Sequence, residues 1–403
     1  MSEGWRSVPL LEAGTWLSGG TPSTDEPRYW GGDIPWISAA SLKDFRITRS
    51  DRCVTYVGAL NGTRLVPGGT VLFVVRGMSL KSEFRVGVTE REVAFGQDCK
   101  AILPAPGIDA RFLAFALKAR ERDILAMVDE AGHGTGRLPT DLIAKLEISV
   151  PKLAEQQRIV EVLHAADSQI DQANRHLDKH AQVKVAMAEA LIPVTPDPHE
   201  LGPGWSLLPL AEVVPSADYG ISTPLEYVPG GLPVLRMNNL QAGRMDLSDV
   251  KAATSTVPAN LMLKDHDVLF NRTNSLEHVG KTAMWRGELA EATFASYMVR
   301  LNVAPARITP EYLARWLNIR AIQQRIRRVA TPAIAQVNIN PTALRKNQIE
   351  LPADLSEQRK ITSILDSLDE KGDRLQVSSE KLKLLRKGLL EDLLTGRIRM
   401  PAR

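Results

Sequence analysis

Val150-Pro151-Lys152-Leu153-Ala154-Glu155-Gln156-Gln157-Arg158-Ile159 and Leu351-Pro352-Ala353-Asp354-Leu355-Ser356-Glu357-Gln358-Arg359-Lys360-Ile361 are two versions of one turn, and each runs straight into a long heptad-like segment. Working outward, Gly4-Trp5 opens the stretch before the first turn and Gly204-Trp205 the stretch before the second. Pro9-Leu10-Leu11-Glu12 is answered by Pro209-Leu210-Ala211-Glu212. Gly31-Gly32-Asp33-Ile34-Pro35-Trp36-Ile37 is answered by Gly230-Gly231-Leu232-Pro233-Val234-Leu235, Val71-Leu72-Phe73 by Val268-Leu269-Phe270, and Phe112-Leu113 by Tyr312-Leu313. The period is far longer than that of a solenoid repeat. It predicts two whole domains, each followed by a helix.

The first domain reads as mixed α/β. Ser18-Gly19-Gly20-Thr21-Pro22-Ser23 and Trp30-Gly31-Gly32-Asp33 read as loops, and Ile34-Pro35-Trp36-Ile37 as a short strand. Thr70-Val71-Leu72-Phe73-Val74-Val75 reads as a strand buried on both faces. Residues 111–127 show helical spacing. Residues 154–191 contain neither Pro nor Gly and place Ile159, Leu163, Ala166, Ile170, Ala173 and Leu177 at intervals of three and four, a coiled-coil seam. From about Ser356 to Leu394 the seam is Ile361, Leu368, Leu375, Leu382 and Leu389, with Ile364 and Leu385 at the alternate position and Gly372 weakening the helix locally. An Ala-rich seam facing a Leu-rich one predicts close packing, and the alternation of domains and helices along the chain predicts an antiparallel pair. The expected fold is therefore mixed α/β (α+β): two domains in tandem pseudo-repeat, separated by two long antiparallel coiled-coil helices. Expected boundaries are 1–153 and 205–355 for the domains, 154–192 and 356–396 for the helices, 193–204 for a Pro-rich linker and 397–403 for a tail.

Composition is that of a globular protein, 44% hydrophobic and 24% charged, with a formal charge of +3. No apolar run nears the ~20 residues of a membrane helix, and no signal-peptide pattern stands at the start, so a cytoplasmic location and no membrane partner are expected. Two cysteines, Cys53 and Cys99, make no disulfide framework. Catalytic signatures are missing: no GxxxxGK[ST], no HExxH and no zinc-ligand spacing. Gly132-His133-Gly134-Thr135-Gly136 reads as a flexible loop, and Asp369-Glu370-Lys371 as a solvated helix face. The chain reads as non-catalytic, with no cofactor or metal of its own.

What recurs is polar material after strands. Arg236, Asn238 and Asn239 follow Val234-Leu235, where the first half has Ser38, Ser41 and Lys43 after Ile37. Arg272, Asn274 and Ser275, then Lys281, follow Phe270, where the first half has Arg76, Ser79, Lys81 and Arg85. Arg and Asn suit base edges in a major groove, and Lys and Ser suit phosphates. Hairpin loops are polar in any case, so the weight lies in the clustering and its recurrence.

In this order and duplicated, Ser18-Gly19-Gly20-Thr21-Pro22, the Gly31 to Ile37 run, the two Pro-x-Leu…Glu-Gln turns and Gly388-Leu389-Leu390-Glu391-Asp392-Leu393-Leu394-Thr395-Gly396-Arg397 give a chain that resembles the specificity subunit of type I restriction–modification enzymes. The resemblance implies two target-recognition domains, each reading half of a bipartite double-stranded DNA target. It implies a helical spacer that sets the gap and docks two methyltransferase (modification) subunits. S-adenosylmethionine would sit on those subunits, and ATP and Mg on restriction/translocase subunits. One departure stands out: Gly134-Thr135-Gly136-Arg137-Leu138-Pro139 lies where the second half has Ala335-Gln336-Val337-Asn338-Ile339-Asn340-Pro341, closer to the family's Gln-x-Asn-Ile. Two alternatives stay open: a specificity subunit of a smaller, type IIB-like restriction system, and a coiled-coil adaptor that binds proteins.

Overall fold

The structure is a computed structural model of the chain and describes residues 4–131, 134–333 and 336–400. It divides into two compact units, one built from residues 1–174 and 377–403 and the other from 175–376.

The repeated ends of each domain are a clip. In the first unit strand Arg6–Pro9 pairs antiparallel with Glu147–Val150, and in the second Trp205–Pro209 pairs antiparallel with Gln348–Pro352. The apolar members of each clip, Val8, Ile148 and Val150 in one and Ile349 and Leu351 in the other, are buried, as are Leu10 and Leu210 in the turns that follow the first strands. The Gly-Trp and proline-turn repeats are thus the two sides of one closure, which delivers the chain to a long helix.

Beyond the clip both units lay out related sheets. Strands Gly14–Ser18, Cys99–Pro104, Val71–Val74, Val86–Thr89 and Arg46–Ile47 form a five-stranded sheet in that order. Its counterpart is four-stranded: Ser216–Tyr219, Met298–Asn302, Val268–Asn271 and Thr282–Met284. Val71–Val74 and Val268–Asn271 are buried along their whole length, the expected outcome for apolar runs covered on both faces. A second sheet brings a parallel pair together in each unit, Trp36 and Ile37 beside Ala94 and Phe95, and Val234 and Leu235 beside Thr293 and Phe294. Trp30-Gly31-Gly32-Asp33 is not a loop: one strand runs Trp30–Ile37, with its register shifting between Trp30 and Ile34. The helical stretch after Asp109 is two helices, Ala110–Ala119 and Glu121–Ala126, parted at Arg120. Gly19 is a close-approach glycine, since a Cβ there would lie 2.3 Å from the Phe95 carbonyl oxygen; at Gly220 it would lie 2.2 Å from that of Phe294.

The Glu-Gln pair of the defining turn owes its recurrence to the glutamine. Gln156 is fully buried; it accepts the Asp109 N–H (2.8 Å) and donates to the carbonyls of Gly107 (2.9 Å) and Pro151 (2.8 Å). Gln358 is equally buried. It accepts the Thr309 N–H (2.9 Å) and donates to Arg307 and Pro352 (2.9 Å each). Asp109 and Thr309 in turn cap the helices Ala110–Ala119 and Pro310–Leu317. One amide in each unit locks the proline turn, a loop and a helix cap, satisfying backbone groups that are costly to leave unpaired.

The long helices run Leu153–Leu191 and Leu355–Leu394 and pack together antiparallel. In the first unit Asp167 meets Arg386 (2.8 Å) and Asn174 meets Ser379 (3.0 Å). In the second, His180 Nε2 donates to the Leu368 carbonyl (2.8 Å) and Lys184 pairs with Asp369. Ile159, Leu163 and Ile361 are buried, while Ala166, Ile170, Ala173, Leu177, Leu368, Leu375, Leu382 and Leu389 are half-buried. The alternate seam position differs from expectation: Ile364 and Leu385 are exposed, and the inward residues are Leu365, Gly372, Ser379, Arg386 and Leu393. A run of i+4 steps from the Leu heptad, read as i+3, explains the slip. Gly372 has a packing reason, since a Cβ there would lie 3.3 Å from the His180 ring. Nor is Asp369 solvated. It is buried against Lys184 and Arg315, the latter at 2.7 Å.

What leaves each helix is tied down by a different ion pair. Beyond Gly396, Arg399 reaches back in the first unit to both carboxylate oxygens of Glu155 (2.9 and 3.0 Å). In the second, the linker residue Thr195 donates its N–H to fully buried Glu350 (3.0 Å), whose carboxylate also takes both terminal nitrogens of Arg325 (3.0 Å each) and Trp316 Nε1 (2.8 Å).

Candidate nucleic-acid interface

Directly after the buried central strand, each unit carries a small three-stranded ribbon. In the first it is Arg76–Gly77, Thr135–Arg137 and Asp129–Ala131; in the second, Thr273–Asn274, Gln336–Asn338 and Thr331–Ala333. The stretches that depart from each other in sequence occupy the same place in the fold. Gly132, His133 and Ala335 lie outside the described residues.

In the first ribbon Arg76 stands directly opposite Arg137, and both are exposed. Like charges in register on one face are unfavourable, and neither forms an ion pair among the described residues. Lys81 is exposed nearby, its ammonium 3.6 Å from where a Cβ on Gly134 would lie. The loop bearing exposed Lys43 abuts the ribbon, for a Cβ on Gly77 would lie 3.5 Å from Ala39. Arg85 braces that loop by donating to the carbonyls of Ala39 and Ala40. Ser79 is corrected: its hydroxyl is buried and unavailable to a ligand. The glycine at 136 is enforced, because a Cβ there would come 2.9 Å from Leu80 Cβ and 3.0 Å from Val128 Cγ1.

In the second ribbon the matching pair is Thr273 opposite Asn338, whose side chains hydrogen-bond at 3.3 Å. Arg272 lies over the ring of exposed Tyr219, 5.1 Å from its centroid, and the N–H groups of Arg272 and Thr273 donate to the carbonyl of exposed Tyr297. Asn274 is half-buried and accepts the N–H of exposed Ser275 (2.8 Å). Two heads of one backbone thus present different chemistry: paired guanidiniums in one, an amide, a hydroxyl and aromatic faces in the other.

The loop after Leu235 is a second polar group. Arg236 and Asn238 converge on Asp249 (2.7 and 3.1 Å), which also accepts the Tyr227 hydroxyl (2.6 Å). The bond from Tyr227 and then that from Arg236 hold the Asp249 carboxyl below the usual range. Asn239 is corrected. It is buried, accepting the Arg236 N–H (2.7 Å) and donating to the carbonyls of Asp246 and Asp249, so it braces the loop and offers no edge. Ser41 plays that part in the first unit by accepting the Ser38 N–H (2.8 Å). Lys281 donates to Gln241 (3.0 Å), which donates to the Asn238 carbonyl (2.9 Å).

The sequence does not mark Arg137, Gln336 and Asn338 as ribbon residues, Tyr219 and Tyr297 as the ribbon's neighbours, or Asp249 as the hub of its loop. The Gln336-Val337-Asn338 stretch was the available signal, but only strand pairing shows that it lies beside Thr273. Among the described residues, no group of His, Cys, Asp and Glu could hold a metal ion, and no helix is long and apolar enough to cross a membrane.

The chain is similar to the Escherichia coli type I restriction enzyme EcoR124I/EcoR124II specificity subunit, 28% identical over 182 residues that make up 45% of each chain, so this alignment spans about half the length of that relative. It is 22% identical over 400 residues to the EcoKI specificity subunit of Escherichia coli K12, covering 93% of this chain and 84% of that one. A chain solved in work on complex assembly and conformational transition of the type I R-M system shares the fold, with a TM-score of 0.68 over 99% of both chains at 18% identity. The family described as type I restriction modification DNA specificity domain matches twice, at residues 2–179 and 204–383. Two matches that fall on the two clip-sheet-ribbon domains and run into the long helices leave one conclusion: the chain belongs to the type I restriction modification DNA specificity domain family.

Proposed function

We propose that this chain is the DNA-specificity subunit of a type I restriction–modification complex in the cytoplasm. Each domain reads one half of a bipartite duplex target, while the helix pair sets the gap and docks two methyltransferase subunits. The chain performs no chemistry. S-adenosylmethionine belongs to the modification subunits, and ATP and Mg to the restriction/translocase subunits. The observation that carries this reading is the contrast between frame and ribbon: the clip, glutamine lock and sheet order repeat, while Arg76 and Arg137 give way to Thr273 and Asn338. A constant frame with variable side chains on one exposed ribbon suits readers of different bases, since base identity is read by the donors and acceptors presented to the groove. Modest net charge is compatible, because phosphate contacts can be shared with partner subunits. The test is methylome sequencing of a host expressing this chain with its modification subunits. A split, asymmetric methylated motif is expected, and methylation without a bipartite motif refutes the reading.

A further inference from the structure

The turn after each ribbon strand holds one large apolar side chain out in solvent. Met78 is 63% exposed and directly follows the ribbon strand Arg76-Gly77; Leu276 is 57% exposed and follows the matching strand Thr273-Asn274 one residue later, after Ser275. The Ser79 carbonyl accepts the N–H groups of Ser82 (3.0 Å) and Glu83 (2.7 Å), and the Ser275 carbonyl accepts those of His278 (3.0 Å) and Val279 (2.9 Å). Each turn also plants a different apolar residue in the core, Leu80 at 1% and Val279 at 0% exposure. In both units, of different local sequence, the segment after the ribbon strand therefore buries one apolar side chain and leaves another exposed, next in the chain to the ribbon residues. A single exposed apolar side chain needs no explanation; its recurrence just after the same ribbon strand in both units does.

We infer that Met78 and Leu276 are wedges that enter the base stack of DNA, each at one half-site. This rests on the specificity reading above. An enzyme acting on a base within a duplex must draw that base out of the stack, at an unstacking cost. Apolar side chains inserted between base steps offset such a cost by filling the opened space. Polar ribbon residues select the sequence; the adjoining wedge stabilises the opened duplex once that sequence is bound.

The test uses this chain assembled with its modification subunits, S-adenosylmethionine, and duplexes carrying the bipartite target, either fully paired or mismatched opposite one target base. On paired DNA, Leu276→Ala is expected to slow methylation at one half-site about tenfold; with the mismatch the rate returns to within about twofold of the unaltered complex, because the base is already unpaired. Met78→Ala does the same at the other half-site, Leu276→Met keeps the full rate, and the methylated motif is unchanged. Equal rates for Leu276→Ala and the unaltered complex on paired DNA, or a loss that the mismatch leaves in place, overturns the wedge and spares the specificity reading. An unaltered complex that methylates no bipartite target refutes that reading, and the wedge with it.

Discussion

Replacing Gln156 by Ala, with Gln157→Ala as its neighbour control, separates the frame from the surface. The two glutamines are adjacent, but Gln156 is fully buried and Gln157 is exposed. Truncating Gln156 strands the Asp109 N–H and the carbonyls of Gly107 and Pro151, all now bonded at 2.8 to 2.9 Å. A buried group left without a partner costs ~1–3 kcal/mol. The Asp109 and Gly107 ends of this network are only partly buried, and losses within one network are not additive, so the low end applies, about 2–4 kcal/mol in total. For a unit of this size each kcal/mol moves the melting temperature by roughly 2–4 °C, which puts the shift near 10 °C. Gln157→Ala stays within about 0.5 kcal/mol, as surface changes do. Thermal and urea unfolding followed by circular dichroism reads both, and the transition of the unit holding Gln156 should move. Equal, small effects for the two substitutions would refute the claim that the repeated Glu-Gln is an internal lock.

Three further outcomes are expected. Glu350→Ala strips half-buried Arg325 of its partner and leaves the Thr195 N–H and Trp316 Nε1 unpaired, so it costs about 2–4 kcal/mol in urea unfolding; a cost below ~1 kcal/mol contradicts the pairing. Gly136→Val, which copies the second unit's residue into the first, overpacks against Leu80 and Val128 and costs about 1–3 kcal/mol, so a neutral or stabilising result is contrary to the packing. Burial acts to raise the Asp369 carboxyl, but the hydrogen bond from Lys184 and the charge of Arg315 outweigh it and hold the group below the usual range. A folded value under the unfolded one gives stability that is fully present above the ordinary Asp value of about 3.9 and is lost as pH falls through the folded value. Asp369→Asn is therefore less stable at neutral pH and loses less on acidification below pH ~4; parallel pH curves contradict the ion pair.

The repeated frame was legible because its physics is local and periodic. Apolar runs, proline turns and three-and-four spacing are written in consecutive residues, so the domains and helices could be read directly. What escaped depends on contacts distant in sequence. Asn239 and Asn238 look alike in the chain, yet one is a brace and the other is exposed. Arg137 acquires meaning only from standing opposite Arg76. Asp369 looked like a solvated helix face because Lys184 and Arg315 come from other elements. Ile364 and Leu385 read as seam residues because each is apolar and stands three residues after a heptad position, whereas the inward side chains, polar Ser379 and Arg386 among them, stand four after. Gly136 marked an odd departure in sequence, and Leu80 and Val128 supply its cause.

The central claim, a repeated frame whose ribbons carry separate halves of the message, is tested most directly by comparing methylomes written with the unaltered chain and with Thr273→Ala/Asn338→Ala. Both positions lie on the second ribbon, and neither touches the clip or the glutamine lock. The account predicts a bipartite motif in which one half is relaxed or changed, while the other half and the gap between them stay as they were. An unchanged motif, or a change in both halves, contradicts it.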